Sequence, residues 1–510
     1  MSSGAKSKEP AVGSGPNIGP GLAKRLMVPG LIPIKAGNPA PYQLIEMIDA
    51  TTALAEQAAP RYTSYPTAPQ FNSGVGAELY GSWLSALPRD VTLSLYVHVP
   101  YCAQLCHYCG CHTKAVRQRD PIDNYADRLV DEMALVADRI GGGKIVHLHW
   151  GGGTPSILGD ERIADLFARI NDGFEVAVHC EHAIELDPRH LTHQLARTLA
   201  GIGVNRVSLG VQDFAAHVQQ AIGRIQPFEV VERSVLALRE AGIERINIDL
   251  MYGLPAQTVD DIRRSADLAV SLEPQRIAYF GYAHVPWLKT HQRLIDERLL
   301  PGALERLRQS QAAHATLVSA GYAAIGLDHF ARGDDELAVA ARAGRLHRNF
   351  QGYTTDRADA LIGLGASAIG QFPEGFVQNA SDVGGYARAV ASGRLATARG
   401  IVLCADDRLR GRIIERIMCD FSADLDTAAG GEGVTDNRFA AELDALSSLA
   451  AEGLVRLEGG RISVTEKGRP FVRLVAAAFD AYLAKARGRH SVAVALEALE
   501  QRGRQVALGK

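Results

Sequence analysis

Residues 93–113 have the sequence LSLYVHVPYCAQLCHYCGCHT, in which an apolar run passes directly into a loop with four cysteines. The apolar run, residues 93–100, consists largely of Leu, Val and Tyr and predicts a short buried strand. Cys102, Cys106, Cys109 and Cys111 follow within ten residues. Seven cysteines in a chain of 510 residues are too few for a disulfide scaffold. A metal-binding loop in a reducing compartment is therefore the better interpretation.

Similar short runs recur downstream, and segments with helical spacing separate them. The runs are KIVHLHW (144–150), HAIELDP (182–188), NRVSLGVQ (205–212), RINIDLMYG (245–253), RIAYFGYA (276–283) and AAIGLDHF (323–330). Alternating strands and helices predict an α/β fold with a parallel sheet and crossover helices. Six or seven such units favour a partial (β/α)6-type barrel of the TIM kind over a Rossmann sheet.

Two residue patterns support the barrel. Apolar residues recur at helical spacing between the first two strands, at Ile122, Tyr125, Leu129, Met133, Val136 and Ile140. Polar residues fall at the carboxyl ends of the predicted strands, where barrel enzymes carry their chemistry. These are His98, His149, Glu185, Gln212, Asp249 and His284.

Composition divides the rest of the chain. The first 41 residues contain seven Gly and seven Pro, a proportion typical of a flexible extension. After residue 405, helical patterns precede VRLEGGRISVTEKG (455–468), where two adjacent glycines predict a hairpin like the wing of a winged helix. We therefore predict a flexible N-terminal extension (1–58), an aromatic, turn-rich segment (59–92), the barrel (93–330), its irregular completion (331–400), a C-terminal α-rich, winged-helix-like domain (401–488) and a tail (489–510).

Charge and hydropathy exclude several classes of protein. The 54 Lys and Arg residues nearly balance 57 Asp and Glu residues, so no global basic field attracts nucleic acid. The C-terminal helices contain no strongly basic recognition helix. No run of 18 apolar residues predicts a membrane span, and the N-terminus lacks the apolar core of a secretory signal. We expect a cytoplasmic protein with no nucleic-acid partner.

The cysteine spacing discriminates between two inorganic centres. A structural zinc site usually combines two ligand pairs that a longer insertion separates, whereas all four cysteines here lie in one loop. An iron–sulfur cluster accepts closely spaced thiolates because each thiolate binds a separate iron. Cys111, in the sequence CGC, is either a fourth ligand or a neighbouring thiol, and spacing alone does not separate these alternatives.

The cysteine motif also resembles that of a known superfamily. CxxxCxYC after a strand is similar to the signature of radical S-adenosylmethionine enzymes. The resemblance implies that Cys102, Cys106 and Cys109 bind a [4Fe-4S] cluster, whose open iron chelates S-adenosylmethionine. It also implies that Tyr108 contacts the adenine and that the glycines of HLHWGGGTPS (147–156) hold the methionine end. Glycines allow backbone N–H groups to approach a ligand closely.

Within this superfamily the chain resembles the oxygen-independent coproporphyrinogen III oxidases. The similar stretches include RYTSYPTA (61–68), LYVHVPYCAQLCHYCGC (95–111), LHWGGGTP (148–155), IELDPR (184–189), NRVSLGVQDF (205–214), NIDLMYGLP (247–255), YAHVP (282–286), GLDHFARGDDELAVA (326–340) and LHRNFQGYTT (346–355). The resemblance implies that two propionates of coproporphyrinogen III are oxidatively decarboxylated to vinyl groups, which yields protoporphyrinogen IX for haem biosynthesis. A 5′-deoxyadenosyl radical begins this reaction.

The resemblance also assigns individual residues. It implies two S-adenosylmethionine molecules: the first contacts Tyr96, Tyr108, Gly152, Glu185 and Ile369, and the second contacts Gly153, Thr154, Gln212, Arg224, Asp249 and Ala283. Cys111 is implied to be needed for activity without binding the cluster. The carboxylates of Glu185 and Asp249 can accept hydrogen bonds from an ammonium group or from ribose hydroxyls, and Arg224 can pair with a carboxylate.

The substrate carries four carboxylates, so cationic or neutral donors should line its site. The candidates are Arg61, His329, Arg332, His347 and Arg348. We expect RYTSYPTA to close over the substrate, and we expect a monomer that takes electrons from a flavodoxin- or ferredoxin-like donor. A haem-binding chaperone on the same scaffold is the alternative function. Cys111 and RYTSYPTA argue against it, since such chaperones typically lack both.

Overall fold

The strands and helices follow the apolar patterns of the sequence in a computed structural model that describes residues 53–57, 59–430 and 438–483. The strands are β1 (Thr92–Val99), β2 (Tyr101–Cys102), β3 (Lys114–Ala115), β4 (Lys144–Gly152), β5 (Glu175–Leu186), β6 (Arg206–Gln212), β7 (Arg245–Tyr252), β8 (Arg276–Gly281), β9 (Ala323–Ile325), β10 (His329–Ala331), β11 (His347–Asn349), β12 (Gly352–Thr354), β13 (Ala360–Leu364), β14 (Ile369–Phe372), β15 (Gly375–Asn379), β16 (Thr397–Val402), β17 (Ser422–Asp424), β18 (Val455–Glu458) and β19 (Arg461–Val464). The predicted tail (489–510) and nearly all of the predicted extension (1–58) lie outside the described residues.

Helices occupy most of the segments between the strands of the barrel and much of the C-terminal region. They are α1 (Ala77–Ala86), α2 (Arg119–Ala137), α3 (Asp160–Gly173), α4 (His193–Gly201), α5 (Ala216–Ala221), α6 (Phe228–Glu240), α7 (Val259–Ser271), α8 (Ala303–Ser319), α9 (Glu336–Arg342), α10 (Val383–Ala391), α11 (Ala405–Asp420), α12 (Leu425–Ala428), α13 (Ala440–Ala445), α14 (Ser447–Ala451) and α15 (Val472–Ala477). No described helix has the length and apolar character that a bilayer crossing requires.

The main sheet is a partial barrel. Its strand order is β16-β15-β14-β13-β1-β4-β5-β6-β7-β8-β10-β9. The strands from β13 to β8 in this order run parallel, and antiparallel strands extend the sheet at both ends. Strands β1 and β4 to β8 are the six predicted parallel strands. The expectation of a (β/α)6-type partial barrel is therefore confirmed.

The prediction that AAIGLDHF (323–330) forms a single seventh strand was wrong. The chain turns at Gly326, which has φ +56°, and the two halves form the antiparallel pair β9–β10. A Cβ at position 326 would lie 2.0 Å from Cζ of Tyr353, so only glycine allows the tyrosine ring to pack there. One glycine therefore ends the series of parallel units and turns the chain back along the sheet.

The predicted crossover helix is α2, and its apolar face packs on the sheet. Ile122, Tyr125, Leu129, Met133 and Val136 are all buried there. Burial of such side chains contributes about 1.5–3 kcal/mol each relative to exposure, which makes this face a major source of barrel stability.

The C-terminal region has its own apolar core. Helix α11 presents Ile413 and Ile417 to it, and β18 and β19 form the predicted hairpin around two glycines. Tyr62 and Tyr65 of the RYTSYPTA segment are buried in the same core. The segment that precedes the barrel is thus packed against the region that follows it.

Candidate active site

The register of the parallel sheet brings the predicted site residues to one edge. Tyr96 of β1 lies opposite His149 of β4, Glu185 of β5 lies opposite Ser208 of β6, and Gly210 of β6 lies opposite Asp249 of β7. Because carboxyl ends of parallel strands meet on the same side, the polar side chains there share one cavity mouth. The electrostatic influence of Glu185 on both Tyr96 and Asp249 supports this proximity.

The cysteine loop crosses this edge directly after β1. Cys102 Sγ lies 3.4 Å from the hydroxyls of Thr113 and Thr154. Cys106 is buried, and its Sγ accepts a hydrogen bond from Arg224 Nη1 at 3.4 Å. A hydrogen bond from Cys111 lowers the pKa of Cys109 to about 7, which favours the thiolate.

The thiols come from different points of the loop. Within the described parts of the chain, no three Cys, His, Asp or Glu side chains converge tightly enough to hold a single metal ion. A cubane does not require such convergence, because each thiolate binds a separate iron. Three thiols on one loop, Cys102, Cys106 and Cys109, are a donor set that suits an iron–sulfur cluster.

Gly152 at the end of β4 and Gly153 after it pack closely against residues beside the cysteine loop. A Cβ on Gly152, which has φ +109°, would lie 2.5 Å from the His98 ring, and a Cβ on Gly153 would lie 2.4 Å from the carbonyl oxygen of Tyr101. The Gly152 N–H donates to Glu185 Oε2 at 3.2 Å. The turn therefore packs closely against His98 and the main chain at Tyr101, and only glycine permits this approach.

A chain of hydrogen bonds orients Tyr96. Burial lowers the pKa of His98 to about 4, so its imidazole is neutral. Nε2 of His98 lies 3.1 Å from the carbonyl oxygen of His112, and Nδ1 lies 3.0 Å from the Tyr96 hydroxyl. Because a carbonyl only accepts, Nε2 carries the proton and the Tyr96 hydroxyl donates to Nδ1. The Tyr96 hydroxyl oxygen is left as an acceptor toward the cavity mouth.

On the opposite side of the edge, Asp249 and Arg224 are held by neighbours. Ser208 and Asn247 each donate to Asp249 at 2.7 Å, while burial raises the pKa of Asp249 to about 6. Arg224 binds Asp187 at 3.1 Å, but its buried Nε has no hydrogen-bond partner among the described residues. A buried, orphaned donor is costly unless a ligand satisfies it. Arg224 is thus suited to an anionic ligand.

The remaining predicted contacts also lie near this edge. Gln212 has φ +74°, an uncommon conformation for a residue other than glycine that holds its side chain at the end of β6. Ile369 packs its backbone against Gly363, the register partner of Tyr96. Tyr108 packs on the apolar cluster that includes Tyr282, close to Ala283.

Three residues of the segment after β8 were not predicted, although they hold the cysteine loop. Lys289 Nζ donates to the Cys111 carbonyl at 2.8 Å, and His291 Nε2 lies 2.7 Å from the Cys109 carbonyl. The buried Gln292 donates to the carbonyls of Tyr108, at 2.8 Å, and Ala283, at 3.2 Å. No spacing or composition signal in the sequence connects these positions. The only local clue is their proximity to YAHVP.

The candidate substrate residues divide into two groups. Arg61 Nη2 donates to the Gly281 carbonyl at the end of β8, and Arg348 Nη2 donates to the Arg61 carbonyl at 3.4 Å. Arg332 follows β10, whose antiparallel pairing places it near Arg276 at the opposite end of β8. The structure therefore brings Arg61 and Arg348 to the site and leaves Arg332 away from it.

Asp328 links the arginines to the other candidates. His329 Nδ1 lies 2.8 Å from Asp328 Oδ1. Burial alone would raise the pKa of Asp328, but His329, Arg348 and Arg61 hold it below its usual value. His347 instead faces Glu415, at 3.1 Å. Asp328 is thus the carboxylate around which Arg61 and Arg348 gather.

Two further arginines add positive charge beside Arg61. Burial, together with the charge of Arg61, lowers the pKa of Arg306 to about 10 and that of Arg473 to about 9. Arg306 donates to the carbonyls of Gly253 and Tyr282. The space between the barrel and the C-terminal region therefore carries an electropositive field.

Comparison with known proteins finds relatives that match most of the chain. Residues 96–269 match the Radical SAM superfamily, and residues 403–471 match the HemN C-terminal domain. The oxygen-independent coproporphyrinogen III oxidase of Bradyrhizobium diazoefficiens is 49% identical over 451 residues, which cover 88% of this chain and 99% of the relative. That of Paracoccus denitrificans is 41% identical over 446 residues, covering 86% and 98%.

A solved structure gives the same result for the fold. The coproporphyrinogen III oxidase of Escherichia coli, described as a radical SAM enzyme, superposes with a TM-score of 0.80 at 39% identity. The match covers 83% of this chain and 98% of that one. The similarity therefore spans the barrel and the C-terminal region together.

Proposed function

Because the chain belongs to the family of oxygen-independent coproporphyrinogen III oxidases, which are radical S-adenosylmethionine enzymes, we propose that it oxidatively decarboxylates two propionates of coproporphyrinogen III. The product is protoporphyrinogen IX, an intermediate of haem biosynthesis. The observation that carries the proposal is the cysteine loop at the carboxyl end of β1, beside the glycine turn and Glu185. The names of the relatives favour the oxidase over the haem chaperone.

The family implies a [4Fe-4S] cluster and S-adenosylmethionine. We propose that Cys102, Cys106 and Cys109 bind the cluster and that Cys111 is a separate thiol required for activity. Cys111 is exposed, whereas Cys106 is buried beside Arg224. When bound, the two cofactors supply a 5′-deoxyadenosyl radical, which no amino-acid side chain supplies.

The chain's own residues bind and orient these cofactors. We propose that Glu185 accepts from the methionine ammonium of a first S-adenosylmethionine, with Tyr96, Tyr108, Gly152 and Ile369 around it. Glu185 already accepts from the Gly152 N–H, so the carboxylate and the glycine turn are held in one arrangement. Holding reacting groups in place before reaction removes an entropic cost from the barrier.

A second S-adenosylmethionine is proposed beside the first. Its carboxylate would satisfy the orphaned Nε of Arg224, and its ribose hydroxyls would donate to Asp249. Gly153, Thr154, Gln212 and the carbonyl of Ala283 complete this site. Gln292 donates to the same carbonyl and thereby ties the second site to the cysteine loop.

We propose that Arg61 and Arg348 bind propionate carboxylates of the substrate. Arg348 lies over the Tyr353 ring at 4.4 Å, and its Nε and Nη1 are buried without a partner in the described part of the chain. Asp328 opposes only part of the charge of the two guanidinium groups. Guanidinium groups bind carboxylates with paired hydrogen bonds, which a tetracarboxylate would provide here.

An anaerobic assay tests the function directly. The reconstituted protein should convert coproporphyrinogen III, with S-adenosylmethionine and a chemical reductant, into protoporphyrinogen IX, CO2, methionine and 5′-deoxyadenosine. Replacing Cys102, Cys106 or Cys109 by serine should abolish all products and lower the iron content. Cys111→Ser should retain iron and lose product. Loss of iron from Cys111→Ser would instead show a site with four thiolates.

A matched pair of arginine variants tests substrate binding. Arg348→Met should raise KM for coproporphyrinogen III by about 10- to 100-fold, because a hydrogen bond to a charged group contributes about 1.5–3 kcal/mol. Substrate-independent formation of 5′-deoxyadenosine should persist. Arg345→Met, at an exposed position nearby, is the control and should behave as wild type. Equal KM values for the two variants would refute the assignment.

A further inference from the structure

The structure contains an opening beside the cysteine loop that the proposed substrate ligands Arg61 and Arg348 do not line. It is a surface depression of about 440 Å³ lined by Gln104, Arg189, His190, Gln220, Gly223 and Ile225. Gln104 lies between Cys102 and Cys106, so the cysteine loop forms part of the wall of the depression. None of the S-adenosylmethionine or substrate residues proposed above lines it.

The depression comes very close to a proposed cluster ligand. The Arg189 guanidinium lies 3.9 Å from Cys106 Sγ. Gly223 packs against the His107 ring, since a Cβ there would lie 2.8 Å from Nε2 of His107. Only one layer of side chains therefore separates Cys106 from solvent on this side. Electron transfer between proteins slows steeply with distance, which makes such a thin wall the favourable place for an electron to enter.

The chemistry of the rim indicates the kind of partner. Arg189 lines the depression and binds the Asp187 carboxylate at 2.6 Å, and the buried Arg224 binds the same carboxylate at 3.1 Å from the interior. His190 is exposed, and none of the six lining residues, all in the described part of the chain, is acidic. Ile225 is 57% exposed and provides an apolar contact within this basic rim.

We propose that this depression is the docking surface for an acidic one-electron carrier protein. The inference rests on the proposed function, which requires reduction of the cluster. One electron passes from the reduced carrier to the oxidised cluster, so the carrier is oxidised by one electron and no proton is transferred. Transient redox complexes bury less than about 1,200 Å² in total, so a small surface is sufficient to seat such a carrier.

The two openings give the cysteine loop separate neighbours. Cys111 lies within electrostatic reach of Arg61 on the substrate side. Cys106 faces Arg189, which lines the depression. A carrier on the depression would therefore not compete with coproporphyrinogen III. The substrate and the carrier should show independent KM values.

Three charge-introducing variants test the docking surface: His190→Glu, Gln220→Glu and Ile225→Glu. Each side chain is exposed and lies outside the proposed cofactor and substrate sites. With a reduced bacterial flavodoxin as the donor, each variant should raise KM for flavodoxin by about tenfold or more, because like charges repel at a docking surface. With dithionite as the reductant, product formation should equal that of wild type. Leu236→Glu, at a 50% exposed position on α6, is the matched control.

Binding gives a readout independent of turnover. Calorimetric titration of oxidised flavodoxin into the protein should show weaker binding to the three variants than to wild type and Leu236→Glu. Added salt should weaken the wild-type complex. Unchanged flavodoxin binding and KM in all three variants would overturn the proposal, as would an equal loss of activity with dithionite. Absence of product from wild type with dithionite would contradict the proposed function instead.

Discussion

The Tyr62 hydroxyl donates a hydrogen bond of 3.1 Å to Oδ2 of Asp480. Tyr482 N–H donates to the other carboxylate oxygen at 2.9 Å, and Arg473 Nε donates to the Pro60 carbonyl at 2.9 Å. The last described residues of the chain thus hold the RYTSYPTA segment. Arg61, which we propose to bind the substrate, belongs to this segment. The C-terminal region therefore helps to position Arg61.

Tyr62→Phe should loosen this attachment without changing the packing. Loss of one hydrogen bond to a charged group costs about 1.5–3 kcal/mol, so trypsin should cleave after Arg61 faster than in wild type. Tyr80→Phe is the control, because the buried Tyr80 hydroxyl has no hydrogen-bond partner among the described residues. Equal cleavage rates for both variants would show that the Tyr62–Asp480 bond does not restrain the segment.

Gly153→Ala should disrupt the glycine turn. The added Cβ would lie 2.4 Å from the Tyr101 carbonyl oxygen, and relieving such a contact costs about 1–3 kcal/mol. We expect a higher KM for S-adenosylmethionine and lower iron content. Gly110→Ala in the cysteine loop is the matched control, since a Cβ there meets no atom within 4 Å. Normal behaviour of Gly153→Ala would contradict the close packing of this turn.

Gln292→Leu should weaken the cysteine loop. The substitution keeps the volume but leaves the carbonyls of Tyr108 and Ala283 without their donor. An unsatisfied buried group costs about 1–3 kcal/mol, so iron release to a chelator should accelerate by about tenfold. Arg293→Leu, at the exposed neighbouring position, should release iron at the wild-type rate. Identical rates for the two variants would remove Gln292 from this role.

Glu132→Gln should change how stability depends on pH. Burial raises the pKa of Glu132 to about 7. Hydrogen bonds from Gly365, Asn379 and Tyr386, at 2.6–2.8 Å, act in the opposite direction but are outweighed by burial. The folded state therefore binds a proton more tightly than the unfolded state. This contribution to stability is complete below pH 4.5 and is lost as pH rises through about 7. Urea unfolding between pH 5 and 8 should show a steeper loss in wild type than in Glu132→Gln. Parallel pH profiles would be the contrary result.

Local patterns predicted the barrel and the cysteine loop because each depends on neighbouring residues. The apolar runs from residue 93 to 283 became β1 and β4–β8, since alternation and burial leave a record in a few adjacent positions. The run at 323–330 failed because the decisive feature is the contact of Gly326 with Tyr353, which is distant in sequence. Short patterns do not contain such information.

The same distinction applies to the site. The spacing drew attention to the four cysteines of the loop, whereas the choice of Cys102, Cys106 and Cys109 as cluster ligands and the proposed S-adenosylmethionine contacts came from resemblance to a family. Gln292 and Lys289 contact the cysteine loop across more than 175 positions of the chain. Only the folded arrangement reveals those contacts. The cytoplasmic location and the monomeric state stay predictions.

The main sheet has two free ends, β16 and β9, instead of a closed circle of strands. A closed ring of eight strands has a fixed circumference, and side chains fill its interior. An unclosed sheet leaves a lateral gap whose width the surrounding segments can set. A flat macrocycle far broader than a barrel lumen does not fit inside a closed ring, so an open sheet is the form compatible with the tetrapyrrole substrate proposed above.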